Sequence, residues 1–244
     1  MKKSKDVYGH ELMAFYQNRS QIEIIERDDG LISGGGPFGR KLYLSGYKDW
    51  ASFERQSMRY VKGRVLDIGC GAGRHSLFLQ KKGFDVLGID NSPLAIEVCR
   101  LRGLRKTRVL AIDGLHRFKA CAFDSILMMG NNFGLFESFK KARRLLKQMH
   151  RITTKNARII AQTLDPYQTK DTIHLNYHCI NQKRGRMSGQ IRLRVRFQNL
   201  IGPWMDYLMV SVKEMKQILK GTGWRIQKIL KSTGSIYIAV IQKE

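Results

Sequence analysis

The sequence predicts a single α/β domain built around a parallel sheet. From Gly63 onward, short apolar runs alternate with longer amphipathic stretches, which is the pattern of repeated strand-helix-strand units. Gly69, Gly71 and Gly73 lie where one such strand would turn directly into a helix. With 244 residues, 43% of them hydrophobic, the chain is long enough for one sizeable core. We therefore expect one domain with an added cap or insertion.

Residues 1–60 are predicted to form a cap or lid segment ahead of the main domain. Glu11–Arg19 has helix-like apolar spacing, and Gln21–Glu26 has strand-like spacing. Ser33–Gly36 and the proline after it indicate a loop or hinge, and Trp50–Tyr60 has a helical pattern. Five aromatic residues would supply the apolar inner surface of this lid, although packing in the core explains them equally well: Tyr8, Phe15, Tyr16, Tyr43 and Trp50.

Residues 61–244 contain the alternating elements of the main domain. Six strands are predicted from their apolar runs: Arg64–Ile68, Asp85–Ile89, Arg108–Ile112, Asp124–Met129, Ala157–Thr163 and Ser235–Gln242. The helices are Arg74–Lys81, Pro93–Arg102 with Asn91 or Ser92 as its cap, Ser138–Arg151 and Val212–Leu219. Trp224–Leu230 adds a seventh strand. Residues 165–210 interrupt the rhythm, which indicates an insertion rich in strands.

Composition excludes some classes of protein. No charged and apolar leader opens the chain, and no run approaches the roughly 20 apolar residues that span a bilayer, so we expect a cytoplasmic protein without a membrane partner. The four cysteines show neither a CxxC pair nor a metal-ligand spacing, so neither a disulfide framework nor a metal site is expected.

The net charge of +24 is the one compositional extreme. Residues 1–60 carry 10 Lys and Arg against 8 Asp and Glu, which leaves 34 against 12 for residues 61–244. A surface of this kind attracts polyanions such as RNA, but charge does not specify a reaction. The sequence offers no prediction of oligomeric state.

The glycine-rich turn indicates a nucleoside ligand other than NAD. Glycines let a ligand approach the backbone closely because they have no Cβ. The dinucleotide pattern G-x-G-x-x-G requires a third glycine at the position that Arg74 occupies. The spacing here is G-x-G-x-G, with Asp67 inside the preceding strand.

VLDIGCGAG at Val65–Gly73, followed by RHSLFLQKKGFDVLGIDNSP, resembles the first motif and the second strand of class I methyltransferases. The similarity extends with falling clarity to about Ile241. It implies a three-layer, Rossmann-like sheet of seven strands whose last strand is antiparallel, with helices on both faces. It also implies that S-adenosyl-L-methionine binds at the carboxyl ends of the strands and leaves as S-adenosyl-L-homocysteine.

The resemblance assigns the cofactor to residues at the strand ends: Asp67, Gly69, Cys70, Gly71, Gly73, Asp90, Asn91, Asp113, Gly114 and Asn131. Asp90 ends the second strand, where a carboxylate can accept both ribose hydroxyls, although an acid there also suits a helix start. Asp113 is expected to end the third strand and to accept from the adenine amine, with the Gly114 amide beside it. A simple Asp-Gly turn is the alternative. Asp67 would reach the methionine ammonium.

Three residues are candidates for the reaction itself. Asn131 follows the fourth strand in MMGNNFG, so it would lie near the methyl group, although an asparagine there also suits a left-handed turn. Methyltransferases that act on nucleic-acid amines carry a D/N-P-P-Y/F tetrapeptide at this point, so base N-methylation of that type is disfavoured. Asp165 follows the fifth strand, and His75 opens the first helix. Each is a candidate to receive a proton, or a helix or turn cap.

The basic surface leaves two kinds of acceptor open. Ile191–Phe197 alternates so that Arg192, Arg194 and Arg196 share one face, which would bind phosphates or would be a solvated outer face. We expect transfer of a methyl group to N, O or C of a small-molecule or natural-product acceptor. The alternatives are an RNA or protein methyltransferase that docks through basic residues, and a protein that binds S-adenosylmethionine without catalysis.

Overall fold

A seven-stranded mixed sheet forms the centre of the fold and confirms the predicted class. The computed structural model describes residues 6–19, 24–34 and 43–244. The strands of this sheet are β3 (Arg64–Ile68), β4 (Asp85–Asp90), β5 (Thr107–Val109), β6 (Phe123–Met128), β7 (Thr153–Leu164), β11 (Trp224–Lys231) and β12 (Ile236–Lys243). Their order is β11-β12-β7-β6-β3-β4-β5. β4 and β6 run parallel to β5 and β7 respectively, whereas the last strand, β12, is antiparallel to both of its neighbours.

Helices flank the sheet, and several begin at hydroxyl or carboxylate caps. They are α1 (Val7–Tyr16), α2 (Ser52–Ser57), α3 (Arg74–Lys81), α4 (Pro93–Leu101), α5 (Phe139–Ile152), α6 (Thr172–Lys183) and α7 (Val212–Leu219). The Ser92 and Ser138 hydroxyls accept from the first turns of α4 and α5. Ser211 and Glu214 form a capping box on α7. Each cap fixes where the chain leaves a loop and enters a helix.

A smaller antiparallel sheet lies outside the main alternation. It contains β1 (Ile24–Arg27), β2 (Ile32–Gly34), β8 (Gln190–Phe197), β9 (Leu200–Ile201) and β10 (Met205–Leu208). The order is β10-β8-β1-β2, and β9 pairs with β8. The insertion therefore supplies both α6 and strands, and β8 pairs with a strand from the N-terminal segment.

The chain divides into two compact units. The first contains the described residues of Met1–Trp50, Leu66–Ile112 and Arg192–Met205. The second contains Ala51–Val65, Asp113–Ile191 and Asp206–Glu244. The predicted boundary at residue 60 stays a prediction.

Several predicted bounds were wrong. The expected strand Arg108–Ile112 ends at Val109, and Ile112–Arg117 is a 3-10 helix. β7 begins four residues earlier than expected, because α5 passes directly into it. The first helix is Val7–Tyr16 rather than Glu11–Arg19, and Tyr16 is exposed, unlike Phe15. The loop predicted at Ser33–Gly36 was wrong at its start, because Ser33 and Gly34 lie in β2, and its last two residues lie outside the described residues. The start of the strand predicted at Gln21–Glu26 also lies outside them.

In the part of the chain that the structure describes, no helix combines the length and apolar composition that a membrane crossing requires. Among the same residues, no group of three or more His, Cys, Asp and Glu side chains is arranged to hold a metal ion.

Candidate cofactor and acceptor sites

The glycine turn between β3 and α3 has a backbone that only glycine adopts readily. Gly69, Gly71 and Gly73 have φ angles of 69°, 54° and 76°, in the left-handed region. A Cβ on Gly73 would lie 2.9 Å from the Cys99 Sγ. The Cys70 thiol lies 3.8 Å from the same sulfur, so its side chain packs in the core beneath the turn. Both the torsion angles and the close packing therefore require glycine here.

Asp90 ends β4 beside this turn and is buried, with 7% of its surface exposed. Its Oδ2 accepts from the Gly71 amide at 3.0 Å, and its Oδ1 accepts from the Ser92 amide at 2.9 Å. Burial, with a smaller contribution from the charges of Asp6 and Asp67, raises the pKa of Asp90 to about 6 against the opposing effect of the two amide bonds. The adjacent Asn91 side chain is exposed.

Asp67 is a second buried acid in the first unit. Its Oδ2 accepts from the Ser76 hydroxyl at 2.6 Å. Burial raises its pKa, while the nearby charges of His75 and Arg74 and the bonds from Ser76 act in the opposite direction. Ser76 was not singled out in the sequence, because a serine inside a helix carries no signal of its role.

His75 lies in an aromatic cluster rather than on an open surface. Its ring centroid is 4.6 Å from that of Trp50, and the residue is 8% exposed. The Arg74 guanidinium lies 5.3 Å from the Trp50 ring. The proton-accepting role predicted for His75 stays a prediction, and its surroundings are those of a packed core residue.

Asp113 does not end a strand, contrary to expectation, because β5 is short and the chain enters a 3-10 helix at Ile112. The Asp113 carboxylate lies 2.8 Å from Lys141 and 2.6 Å from Arg144, both on α5. Partial burial raises its pKa, but the bonds from these two cations outweigh that effect and hold the pKa below its ordinary value. The neighbouring Gly114 is half-buried within the same 3-10 helix.

Asn131 adopts the left-handed conformation that one of the two interpretations required, with φ of 64°. The Tyr207 hydroxyl donates to its carbonyl oxygen at 2.6 Å. The Asn131 Oδ1 is buried and has no hydrogen-bond partner among the described residues. The Tyr207 ring also packs on Gly134, where a Cβ would lie 2.1 Å from the ring. Sequence reasoning missed Tyr207, because 76 residues separate it from Asn131.

Asp165 is partly exposed after β7, where its Oδ1 accepts from the Tyr167 amide at 3.1 Å. This contact makes it the cap of the short 3-10 helix Pro166–Gln168. The Tyr167 hydroxyl donates to Glu214 at 2.8 Å. Asp165 thus has the turn-capping role, which leaves its predicted role in the reaction open.

Two of the three arginines of β8 are paired with an acid of β1. Arg194 donates to both carboxylate oxygens of Glu26 at 2.9 and 2.8 Å, and Arg196 donates to one of them at 3.3 Å. Arg194 also lies 4.5 Å from the Trp204 ring. β1 therefore supplies an acid that balances part of the charge that the sequence places on β8.

Residues 65–156 match the family model of a methyltransferase domain. This match, together with the seven-stranded sheet, is that of class I, Rossmann-like methyltransferases. The chain is 29% identical over 111 residues to a putative methyltransferase, YqeM, of Bacillus subtilis, and the alignment covers 41% of this chain and 44% of that protein. It is also 41% identical over 71 residues to a ubiquinone biosynthesis O-methyltransferase of Xylella fastidiosa. That alignment covers 27% of this chain and 29% of the relative. The chain spans less than half the length of these curated relatives.

Solved structures share the fold of this chain. An S-adenosylmethionine-dependent methyltransferase from Bacteroides fragilis, solved with S-adenosyl-L-homocysteine, has a TM-score of 0.82 and 24% identity, and covers 100% of this chain and 97% of its own. One from Methanosarcina mazei has a TM-score of 0.58 and 20% identity, over 76% and 95% of the two chains. Both likenesses concern the fold.

Proposed function

We propose that this chain transfers a methyl group from S-adenosylmethionine to N, O or C of a small-molecule acceptor. The observation that carries the proposal is Asp90, a buried acid that, within the described residues, is held by two backbone amides beside a turn of three left-handed glycines. Because no cation among the described residues pairs with this carboxylate, its charge is left to interact with a ligand. The Bacteroides fragilis structure of the same fold contains S-adenosyl-L-homocysteine.

The residues of the first unit fit the nucleoside part of this cofactor. Each Asp90 oxygen accepts one amide and has a further lone pair, so the carboxylate can accept two ribose hydroxyls. The glycine turn offers backbone without side chains. Asp67, bonded to Ser76, is the acid that would attract the methionine ammonium. S-adenosylmethionine, when bound, supplies a methyl group on a sulfonium that is already an activated leaving group.

The protein's own contribution to such a transfer is mainly positioning. Holding donor and acceptor in line is worth roughly 7–11 kcal/mol of barrier reduction, so a general base is not obligatory. We assign the orientation of the acceptor to Asn131, because its buried Oδ1 has no partner in the described part of the chain and suits a donor group. An acceptor hydroxyl would lose its proton to a carboxylate within reach, and Asp165 is the exposed candidate.

Two observations favour a small-molecule acceptor. Arg194 and Arg196, two of the three arginines that would have bound a nucleic-acid backbone, are paired with Glu26. The relatives named ubiquinone biosynthesis O-methyltransferases act, by that name, on a small-molecule oxygen. Their match covers only 71 residues, so it supports the acceptor class and not a particular acceptor.

Calorimetry with S-adenosyl-L-homocysteine, followed by an acceptor screen, tests the proposal. We expect 1:1 binding, and release of labelled S-adenosylhomocysteine with phenol, amine or carbon-acid probes. Absence of binding would overturn both the enzyme and the binding-only alternative. Binding without turnover on any acceptor class would favour the protein that binds the cofactor without catalysis.

One observation favours the RNA alternative. Lys140, Arg144, Lys147 and Arg151 are exposed at helical spacing on α5. Arg144 is bonded to Asp113, and Arg151 donates to two carbonyls, so two of the four charges are engaged. A steep loss of RNA affinity with salt, reduced in a double variant with Lys140→Gln and Lys147→Gln, would support an RNA acceptor over a small molecule.

A further inference from the structure

Asp6 is a fully buried acid that joins two helices of the first unit. Its Oδ1 accepts from the Gly9 amide at 3.0 Å, in the first turn of α1. Its Oδ2 accepts from the Leu94 amide at 3.0 Å, in the first turn of α4. A cap normally satisfies the amides of one helix, whereas this carboxylate serves the N-termini of two.

Ser92 connects this double cap to Asp90. Its hydroxyl donates to the Asp6 Oδ2 at 2.8 Å and accepts from the Ala95 amide at 2.9 Å. Its own amide donates to the Asp90 Oδ1. Because the other Asp90 oxygen accepts from Gly71, one series of contacts runs from α1 through Ser92 and Asp90 to the glycine turn.

Packing of α1 places it directly on that turn. Leu12 and Phe15 share a buried cluster with Ala72 of the turn and with Ala95 and Val98 of α4. A Cβ on Gly71 would lie 3.2 Å from the hydroxyl of Tyr8, another α1 residue. The Asp6 carboxylate is thus the polar anchor of a helix that covers the glycine turn.

Gly9 makes room for the double cap. A Cβ on Gly9 would lie 2.4 Å from the Asp6 Oδ2 and 2.4 Å from the Ser92 Oγ. Alanine is preferred over glycine inside a helix. The glycine at this position is explained by the space that the Asp6 and Ser92 side chains occupy.

We propose that Asp6 is a positioning residue for the cofactor: it holds α1 on the glycine turn and, through Ser92, holds Asp90 in the orientation that accepts the ribose hydroxyls. This inference rests on the proposed function. It concerns cofactor binding, so it predicts an increase in cofactor Kd and KM with little change in kcat at saturation.

The pH profile separates positioning from simple stabilisation. Two acids raise the pKa of Asp90 by their charge, Asp6 from α1 and Asp67 from β3. Affinity for S-adenosylhomocysteine should fall as the pH drops through about 6, because a protonated Asp90 accepts less strongly. Asp6→Asn removes one repulsive charge, so it should move this midpoint to lower pH.

The test compares Asp6→Asn with Asp171→Asn by calorimetry with S-adenosylhomocysteine and by thermal unfolding. Asp171 caps α6 through the Ile173 amide and is exposed, so its variant loses one cap elsewhere. Asp6→Asn should weaken binding roughly tenfold, the effect of one buried charged hydrogen bond, and Asp171→Asn should leave it unchanged. Equal affinity of the two variants, or an unmoved pH midpoint, would overturn the proposal.

Gly9→Ala keeps the Asp6 charge and breaks only the geometry. It should also raise the Kd, whereas Gly234→Ala, where a Cβ meets only the Ser232 Oγ at 4.0 Å, should not. If Asp6→Asn does not fold, the comparison of Gly9→Ala with Gly234→Ala tests the proposal instead. Failure of the unaltered chain to bind S-adenosylhomocysteine would instead overturn the proposed function, and unchanged binding in Gly9→Ala would overturn this inference alone.

Discussion

Asp90 ends β4, and Asp113 lies four residues after the neighbouring strand β5, but the surroundings of the two acids differ. Asp90 is 7% exposed, and the donors to its carboxylate in the described ranges are backbone amides of its own turn and of the glycine turn. The Asp113 side chain is 45% exposed and is paired with Lys141 and Arg144. The charge of Asp113 is thus largely offset within the protein, whereas that of Asp90 remains for a ligand. An acid at a strand end is therefore a binding candidate only when its surroundings leave its charge uncompensated.

The largest effect expected from this comparison is on cofactor affinity. Asp90→Asn removes the acceptor of two ribose hydroxyls, and charged hydrogen bonds are worth about 1.5–3 kcal/mol each, so the Kd for S-adenosylhomocysteine should rise by at least about a hundredfold. Asp113→Asn is the matched change and should raise it far less. Titration calorimetry measures both. Equal losses of affinity in the two variants would mean that the ion pairs of Asp113 do not reduce its contribution to cofactor binding.

The second effect is on stability as a function of pH. The pKa of Asp90 is raised to about 6 in the folded chain, above its ordinary value of 3.8. Its contribution to the unfolding free energy is therefore fully present below pH of about 4 and is lost as the pH rises through about 6, an effect of about 3 kcal/mol. Denaturant titrations of the cofactor-free chain and of Asp90→Asn, at pH values from 4 to 7, isolate this contribution. If the unfolding free energies of the two proteins changed with pH in the same way, the inference that the charge of Asp90 is uncompensated would be wrong.

The separation of contacting residues along the chain explains which parts of the site the sequence could predict. The glycine turn, Asp67 and Asp90 lie within one strand-turn-helix-strand run, so their spacing alone places them at one sheet end. Asp6 and Tyr207 were not predicted, because their partners Ser92 and Asn131 are 86 and 76 residues away. Asp113 was placed on a strand because Arg108–Ile112 alternates, but Val109 is 44% exposed and the pairing with β4 ends there.

The third effect tests why the glycine turn needs glycine. Gly73→Ala adds left-handed strain of about 1–2 kcal/mol and a contact with Cys99 worth about 1–3 kcal/mol more. Gly83→Ala, at φ of 89° with open space around it, adds the strain alone. Denaturant unfolding should give a larger loss for Gly73→Ala. Losses of the same size would show that close packing under the turn contributes nothing.

The fourth effect concerns the second unit and the Asn131 turn. Tyr207→Phe removes a buried hydroxyl that donates to Asn131, at a cost of about 1 kcal/mol. Tyr237→Phe removes a similar bond, to the Val210 carbonyl at 2.7 Å, and serves as control. Both should lower the Tm, but only Tyr207→Phe should lower kcat, once an acceptor is identified. A kcat that falls equally in both variants would exclude a specific role for the Asn131 turn.

The smallest expected effect concerns the arginines of β8. It applies the comparison of paired and unpaired charge to cations. Arg194 and Arg196 share Glu26, and the three side chains are partly exposed, so the ion pair itself should contribute little to stability. Its consequence is electrostatic: Glu26→Gln leaves two arginines without their acid and should strengthen salt-sensitive binding of a polyanion such as single-stranded RNA. Arg194→Gln should leave that binding nearly unchanged, because it removes a cation that is already balanced. Weaker RNA binding in Arg194→Gln than in the unaltered chain would mean that β8 contacts phosphates despite Glu26, and would favour the RNA acceptor over the small molecule.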